Sequence, residues 1–187
     1  EAGDPGSRFD PPEDGAPPGA DPVAWLDDRA AVLVELLNRL GPDEPCWNWA
    51  GDEFESGWVA RRMALETAVH RYDGELAAGE PTQIKRELAA DGIDERVEVH
   101  LKADVPDYPE ASLGGSICLS CTDVDAAWVV DVGGGRLRVR EGAGPAAAVA
   151  RGTASDLFLF SWNRLGSDAL EVTGDRSIPE RWSTLPA

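Results

Sequence analysis

One helical stretch decides the fold prediction: Arg62-Met-Ala-Leu-Glu-Thr-Ala-Val-His-Arg-Tyr-Asp73. It lies inside the longest helix that the sequence predicts, which runs to about Ala78 and ends at Gly79. Glu66 and His70 are four residues apart, and on a helix this spacing stacks two side chains on one face. A carboxylate and an imidazole placed in this way can each give one bond to a divalent cation.

The same spacing also fits a plain Glu–His hydrogen bond, so Glu66 and His70 alone leave both interpretations open. A catalytic zinc usually has three protein ligands and one open position, and two ligands from one helix do not complete such a site. The motif also differs from His-Glu-x-x-His, so a zincin protease is not predicted. Because the pair shares a helical stripe with Trp58 and Arg62, we expect both side chains to face a bundle interior or a cleft.

Two more helices are predicted around this one. Asp21-Pro22 begins a helix with apolar residues at helical spacing, and Gly41-Pro42 ends it. Pro81-Thr82 opens the other, with an interruption near Asp91-Gly92 and a continuation over 93–101. Residues 1–20 hold five Pro, four Gly and five acidic residues against one Arg, a composition that predicts a disordered segment.

After Pro109 the pattern changes to short stretches with alternating or β-branched residues, separated by turn signals such as Gly133-Gly134-Gly135. Strands are predicted at 116–121, 127–132, 137–140, 146–150 and 170–173, with a helix capped by Thr153 running to about Leu165 and a short terminal helix at 178–185. The predicted fold class is therefore α+β. A helical domain of three helices (21–103) follows the disordered segment (1–20) and precedes an α+β domain (110–187) with a mostly antiparallel sheet.

Composition excludes several functions. The formal charge of −18 argues against nucleic-acid binding, which needs clustered Lys and Arg. No stretch approaches the roughly 20 apolar residues of a membrane span. Three cysteines are too few for a secreted disulfide scaffold, so a cytoplasmic location is expected. Fifteen Arg against two Lys are typical of a GC-rich bacterial genome.

Two other motifs allow a functional and a structural interpretation. Cys118-Leu-Ser-Cys121 falls on a predicted strand, where an offset of three puts the thiols on opposite faces, so we expect two reduced structural cysteines. Arg164 ends an apolar run, where a guanidinium can hold a substrate carboxylate bidentately or simply complement a helix C-terminus. His100 lies near the predicted domain junction, and we expect it to be structural or exposed.

The residues also carry a resemblance. Arg62–Asp73, Gly79-Glu-Pro-Thr82 and Ala89-Ala-Asp-Gly-Ile-Asp-Glu95 resemble the mycothiol-dependent maleylpyruvate isomerase family, whose metal-binding domain is a DinB-like four-helix bundle. Ser120–Trp128 and Ala150–Leu157, with Trp162-Asn-Arg164, are similar to the C-terminal α+β domain of that family.

The resemblance implies a site and a chemistry. Glu66 and His70 correspond to two of three metal ligands; the third would be a His on a first bundle helix, which this sequence lacks. The implied cofactors are a divalent metal, with zinc favoured, and mycothiol, and the implied origin is actinobacterial. The metal would favour the thiolate of the cofactor, the thiolate would add to an electrophilic substrate, and Arg164 would anchor a substrate carboxylate.

Two functions remain open from the sequence. One is a mycothiol-dependent isomerase or thiol transferase with a small-molecule thiol and an electrophilic substrate as partners. The alternative is a non-catalytic member that binds a ligand or a partner and has an incomplete metal site. With two ligands on one helix, we expect the chain to bind divalent metal weakly or not at all. The oligomeric state is not predicted.

Overall fold

The computed structural model describes residues 17–47 and 55–186. The chain forms two compact units, Glu1–Met63 and Ala64–Ala187. The division falls inside helix α2 (Ser56–Ala78), whereas the predicted boundary between residues 103 and 110 lies within the second unit. The predicted domain limits therefore stay a prediction. The disordered segment predicted at 1–20 lies outside the described residues as far as residue 16.

Helix α1 (Pro22–Leu40) has the predicted bounds. The Asp21 carboxylate accepts a hydrogen bond from the N–H of Val23 at 3.0 Å, which caps the first turn. Gly41 ends the helix with a φ of +79°, a conformation that favours glycine. The helix buries none of its side chains, and Leu26 on its apolar stripe is 61% exposed.

The prediction for the third helix is wrong about where the helix starts and about its interruption near Asp91-Gly92. Residues Pro81–Lys85 are not helical, because Thr82 donates from its backbone N–H and its hydroxyl to Glu75 of α2. Helix α3 (Arg86–Glu95) then runs through Gly92 without a break. A Cβ at Gly92 would lie 2.3 Å from the Phe158 ring, so this glycine permits close packing rather than a break. A π-helical turn (Arg96–His100) and helix α4 (Leu101–Asp104) continue the chain.

The second unit contains a five-stranded sheet in the order β3-β2-β1-β4-β5. Its strands are β1 (Ile117–Cys121), β2 (Ala127–Gly133), β3 (Arg136–Glu141), β4 (Ala148–Gly152) and β5 (Glu171–Gly174). Only the β1–β4 pair is parallel among these strands. The predicted α+β class with a mostly antiparallel sheet is confirmed. Gly134 and Gly135, at φ of +60° and +68°, form the predicted hairpin turn between β2 and β3.

Helix α5 (Ala154–Ser161) packs against α3 and the sheet. Thr153 caps it as predicted, accepting from the N–H of Asp156 at 3.1 Å. The helix ends four residues before the predicted Leu165, because Asn163 takes a φ of +59° and turns the chain. Helix α6 (Ser177–Glu180) and a 3₁₀ turn (Arg181–Thr184) close the unit and overlap the terminal helix predicted at 178–185.

The core of the second unit lies between the helices and one face of the sheet. Seven of the eight residues of α5 are buried, as are Ile93 of α3, Leu119 of β1 and Trp182 of the terminal turn. Burial on this scale removes apolar surface from water, the main favourable contribution to folding. None of the helices in residues 17–47 and 55–186 has the length and apolarity that a membrane crossing requires.

Candidate functional site

Helix α2 presents three titratable side chains on one stripe, at the helical spacings of four and three residues. The Nε2 atom of His70 lies 3.1 Å from Oε1 of Glu66, and its Nδ1 atom lies 3.1 Å from Oδ2 of Asp73. The imidazole ring therefore has a carboxylate at each nitrogen. This follows from the α-helix itself, because residues i, i+4 and i+7 lie on one face.

The ring can occupy this position as an imidazolium or as either neutral tautomer, one of which donates from Nε2 to Glu66. As an imidazolium it donates to both carboxylates, since both ring nitrogens then carry hydrogen. As a neutral ring with the proton on Nδ1 it donates to Asp73, and the lone pair on Nε2 is then directed to the side where Glu66 lies. A carboxylate that accepts from one imidazole nitrogen while the other binds metal is a common arrangement in metal sites.

Arg164 reaches the same cluster from the end of α5. Its Nε donates to Oδ1 of Asp73 at 3.1 Å, and its Nη2 donates to Oδ2 at 3.0 Å. Its Nη1 donates to the carbonyl of Trp162 at 2.8 Å, across the turn made by Asn163. This bidentate pair gives both charge attraction and a fixed geometry. The Arg164 guanidinium, with a smaller effect of His70, lowers the pKa of Asp73 although partial burial opposes the shift.

The site is open to solvent. The His70 side chain is 60% exposed and that of Glu66 is 40% exposed, so the expectation that both face a bundle interior or a cleft is not met for His70. Asp73 and Arg164 are less exposed, at 35% and 30%. The physical reason is that this stripe carries charged groups that bind one another, and such groups lose hydration at a cost when they are buried.

The structure thus brings together all three predicted site residues: Glu66, His70 and Arg164. Asp73 connects them, because it contacts both His70 and Arg164. Its position on the Glu66–His70 stripe was visible in the sequence, but its pairing with Arg164, 91 residues later, was not. Within residues 17–47 and 55–186, no three His, Cys, Asp or Glu side chains are grouped so that they could hold a metal ion.

A second cluster is buried and consists of Arg96 and His100 around the ring of Trp162. The guanidinium of Arg96 lies 4.8 Å from the Trp162 ring, and His100 contacts the same ring edge-on at 4.7 Å. Arg96 donates from Nε to the carbonyl of Ser161 at 3.3 Å and from Nη2 to the carbonyl of Pro186. Burial lowers the pKa of Arg96 to about 10, so the side chain is still a cation at neutral pH. His100 is buried rather than exposed, and its Nε2 atom lies 3.7 Å from Oε2 of Glu95.

The two cysteines of β1 are reduced, as predicted. Cys118 and Cys121 lie three residues apart on β1, and both are free thiols. Burial, with a smaller effect of Asp123, raises the pKa of Cys121 to about 11. The thiol is therefore protonated at neutral pH and is a poor nucleophile.

A comparison with known protein families matches the part of the chain that includes the cluster on α2. Residues 3–74 match the family model "Mycothiol maleylpyruvate isomerase N-terminal domain". The match supports the predicted family over these residues, which make up fewer than half of the chain. Glu66, His70 and Asp73 lie inside the matched region, and Arg164 lies outside it. The matched residues are thus similar to the N-terminal domain of a mycothiol maleylpyruvate isomerase.

Solved structures match about half of the chain at low similarity. A sec-alkylsulfatase, Pisa1, from a Pseudomonas species is 16% identical, with a TM-score of 0.38, over 56% of this chain and 17% of its own. The chain thus spans less than a fifth of that protein. A sterol carrier protein 2 is 13% identical, with a TM-score of 0.33, over 55% of this chain and 93% of its own. A UbiJ-SCP2 ubiquinone synthesis protein is 19% identical, with a TM-score of 0.31, over 52% and 92% of the two chains. No curated protein matches the chain.

Proposed function

We propose that the chain acts as a mycothiol-dependent enzyme of the maleylpyruvate isomerase type, with Glu66 and His70 as two ligands of a divalent metal. The observation that carries the proposal is the hydrogen bond between His70 Nδ1 and Asp73, which directs Nε2 towards Glu66. The donor pair fits a divalent cation such as zinc, which binds imidazole nitrogen and carboxylate oxygen. When bound, the metal would supply a positive charge that favours the thiolate form of mycothiol.

Asp73 and Arg164 prepare this pair for binding. Asp73 fixes the ring orientation of His70, and Arg164 fixes Asp73 through two hydrogen bonds. The guanidinium has five N–H donors, of which three are engaged by Asp73 and Trp162. Two N–H groups are left for the carboxylate of a substrate, so Arg164 can anchor the substrate while it positions Asp73.

The first test measures isomerisation of maleylpyruvate by the full chain with mycothiol and zinc. We expect activity that needs both additions and falls by at least about 100-fold in His70→Ala. Arg164→Lys should raise KM more than it lowers kcat, because it loses bidentate binding of a carboxylate. Glu80→Ala, an exposed carboxylate outside the cluster, is the matched control and should keep full activity. Equal activity of His70→Ala and the unmodified chain would refute the proposal.

The alternative is a non-catalytic, ligand-binding or partner-binding member of the family. It is favoured by the exposure of His70 and by the two-ligand count among the described residues. Zinc calorimetry on the full chain separates the two functions. One-to-one binding that is lost in both Glu66→Ala and His70→Ala supports the enzyme. Mycothiol binding without zinc binding, unchanged in both variants, supports the alternative.

A further inference from the structure

Strand β3 is an edge of the sheet, and among the described strands only β2 pairs with it. Its register with β2 fixes which backbone groups face outwards. Gly142 donates to the carbonyl of Ala127 at 2.7 Å, so the even-numbered residues of β3 form the hydrogen-bonded pairs with β2. The N–H and C=O groups of Leu137, Val139 and Glu141 therefore point away from β2. Within the described part of the chain, no hydrogen bond reaches them from that side.

The same strand carries three arginines on one face of the sheet. Arg136, Arg138 and Arg140 alternate along β3, and all three are exposed. Arg138 is 68% exposed and lies 3.5 Å from Asp131 on β2, and the side chain of Arg140 lies against Gly144. In a chain with a formal charge of −18, this stripe is a local concentration of positive charge. The opposite face of β3 carries Leu137 and Val139, both half-buried.

The geometry of pairing across two strands determines which residue pattern a strand added beside β3 would need. Opposite the three arginines, its residues would form non-hydrogen-bonded pairs, in which side chains approach most closely. Opposite charges in such pairs stabilise a sheet, and like charges destabilise it. A second copy of β3 would place arginine opposite arginine, so the charges disfavour a dimer through this edge. An acidic residue at every second position, alternating with apolar residues, complements both faces.

We infer that the free edge of β3 binds an extended, alternating acidic and apolar peptide segment of a partner protein as a sixth strand. Backbone hydrogen bonds to Leu137, Val139 and Glu141 hold the segment, and the three arginines select its acidic side chains. This interaction does not involve the cluster around His70, so it does not depend on the proposed enzyme function.

The test uses the full chain and a blocked hexapeptide, Glu-Val-Glu-Val-Glu-Val, titrated by calorimetry at physiological salt. We expect saturable binding, with affinity at least about tenfold lower for the same residues arranged as three Glu followed by three Val. Lys-Val-Lys-Val-Lys-Val should not bind. The combined variant Arg136→Glu, Arg138→Glu and Arg140→Glu should reverse the preference between the Glu and Lys peptides. Arg151→Glu, an exposed arginine on β4, is the matched control and should bind the Glu peptide as the unmodified chain does.

A backbone variant tests the edge itself. Val139→Pro removes an outward N–H but none of the hydrogen bonds to β2, so the sheet should persist by circular dichroism while peptide affinity falls at least about tenfold. If the triple variant does not fold, Val139→Pro and the single variant Arg138→Glu test the inference instead, and both should weaken binding of the Glu peptide. Equal binding of the alternating and block peptides would overturn the inference in favour of simple charge attraction. Self-association of the unmodified chain that Val139→Pro abolishes would overturn it in favour of a second copy.

Discussion

The second unit holds two clusters of similar residue types in opposite surroundings. Around His70 the charged groups bind one another at the surface, where the imidazole has a carboxylate at each nitrogen. Around Arg96 the cation is wholly buried, and its surroundings include backbone carbonyls, the face of Trp162 and the charge of Asp104. Trp162 belongs to both clusters, because its ring stacks on Arg96 and its carbonyl accepts from Arg164.

The difference in exposure between the two clusters indicates which one can bind a ligand and which one stabilises the fold. A solvated cluster can exchange protons and accept a ligand at small cost, since each exposed ion pair contributes little to stability. Removing a buried cation costs much more stability, because it leaves polar groups without partners in a region that water does not reach. The exposed cluster is therefore suited to binding and the buried one to holding the terminal segment and α5 in place.

The largest expected effect is on the buried cluster. Arg96→Ala should lower the free energy of unfolding by about 3 kcal/mol, because the carbonyls of Ser161 and Pro186 lose their charged donor. Urea unfolding followed by circular dichroism measures it. Its counterpart in the exposed cluster, Arg164→Ala, should cost about 1 kcal/mol or less. If the two variants lose equal stability, the contrast between the clusters is wrong.

The next largest effect on stability is expected where α3 and α5 pack closely, at Gly92. Gly92→Ala should cost about 2 kcal/mol, because the new Cβ would lie 2.3 Å from the Phe158 ring and force α3 and α5 apart. The control is Gly74→Ala on α2, where a Cβ meets nothing within 4 Å. That change should stabilise the chain by about 0.5–1 kcal/mol through helix propensity. A stabilising Gly92→Ala would contradict the close approach of the two helices.

In the exposed cluster, Asp73→Asn should cost less than about 1 kcal/mol at pH 7, since the carboxylate is about one-third exposed. The pKa of Asp73 is lowered in the folded state, so its contribution is present in full above the ordinary value and is lost as the pH falls through the lowered pKa. The stability difference between the variant and the unmodified chain should therefore vanish in acid. Unfolding midpoints measured from neutral to acidic pH provide the check, and a constant difference would exclude the Arg164 contact as the cause.

The smallest effect is expected at Glu66. Glu66→Gln should change the free energy of unfolding by less than about 0.5 kcal/mol, because this side chain is exposed and its bond to His70 is solvated. Zinc affinity should nevertheless fall, because an amide is a weaker metal ligand than a carboxylate. Thermal unfolding with and without zinc measures both quantities. A large loss of stability without zinc would give Glu66 a structural role instead.

Local sequence signals sufficed for much of the architecture. The bounds of α1, the end of α2, the five strands and the Thr153 cap were predictable, because caps, glycine turns and hydrophobic periodicity act over a few residues. The Glu66–His70 pair was predictable for the same reason, since helical spacing alone places both side chains together.

Only the tertiary structure decided the rest. Gly92 resembles a helix interruption in the sequence, but Phe158, 66 residues later, makes it a packing position. The Asp73 carboxylate is held by Arg164, 91 residues later in the chain, and the buried Arg96 donates to the carbonyl of Pro186, 90 residues later. The inward orientation predicted for His70 failed because periodicity identifies a shared face but not what covers it. Local rules set which residues lie together on an element, whereas burial and pairing depend on residues that are distant in the chain.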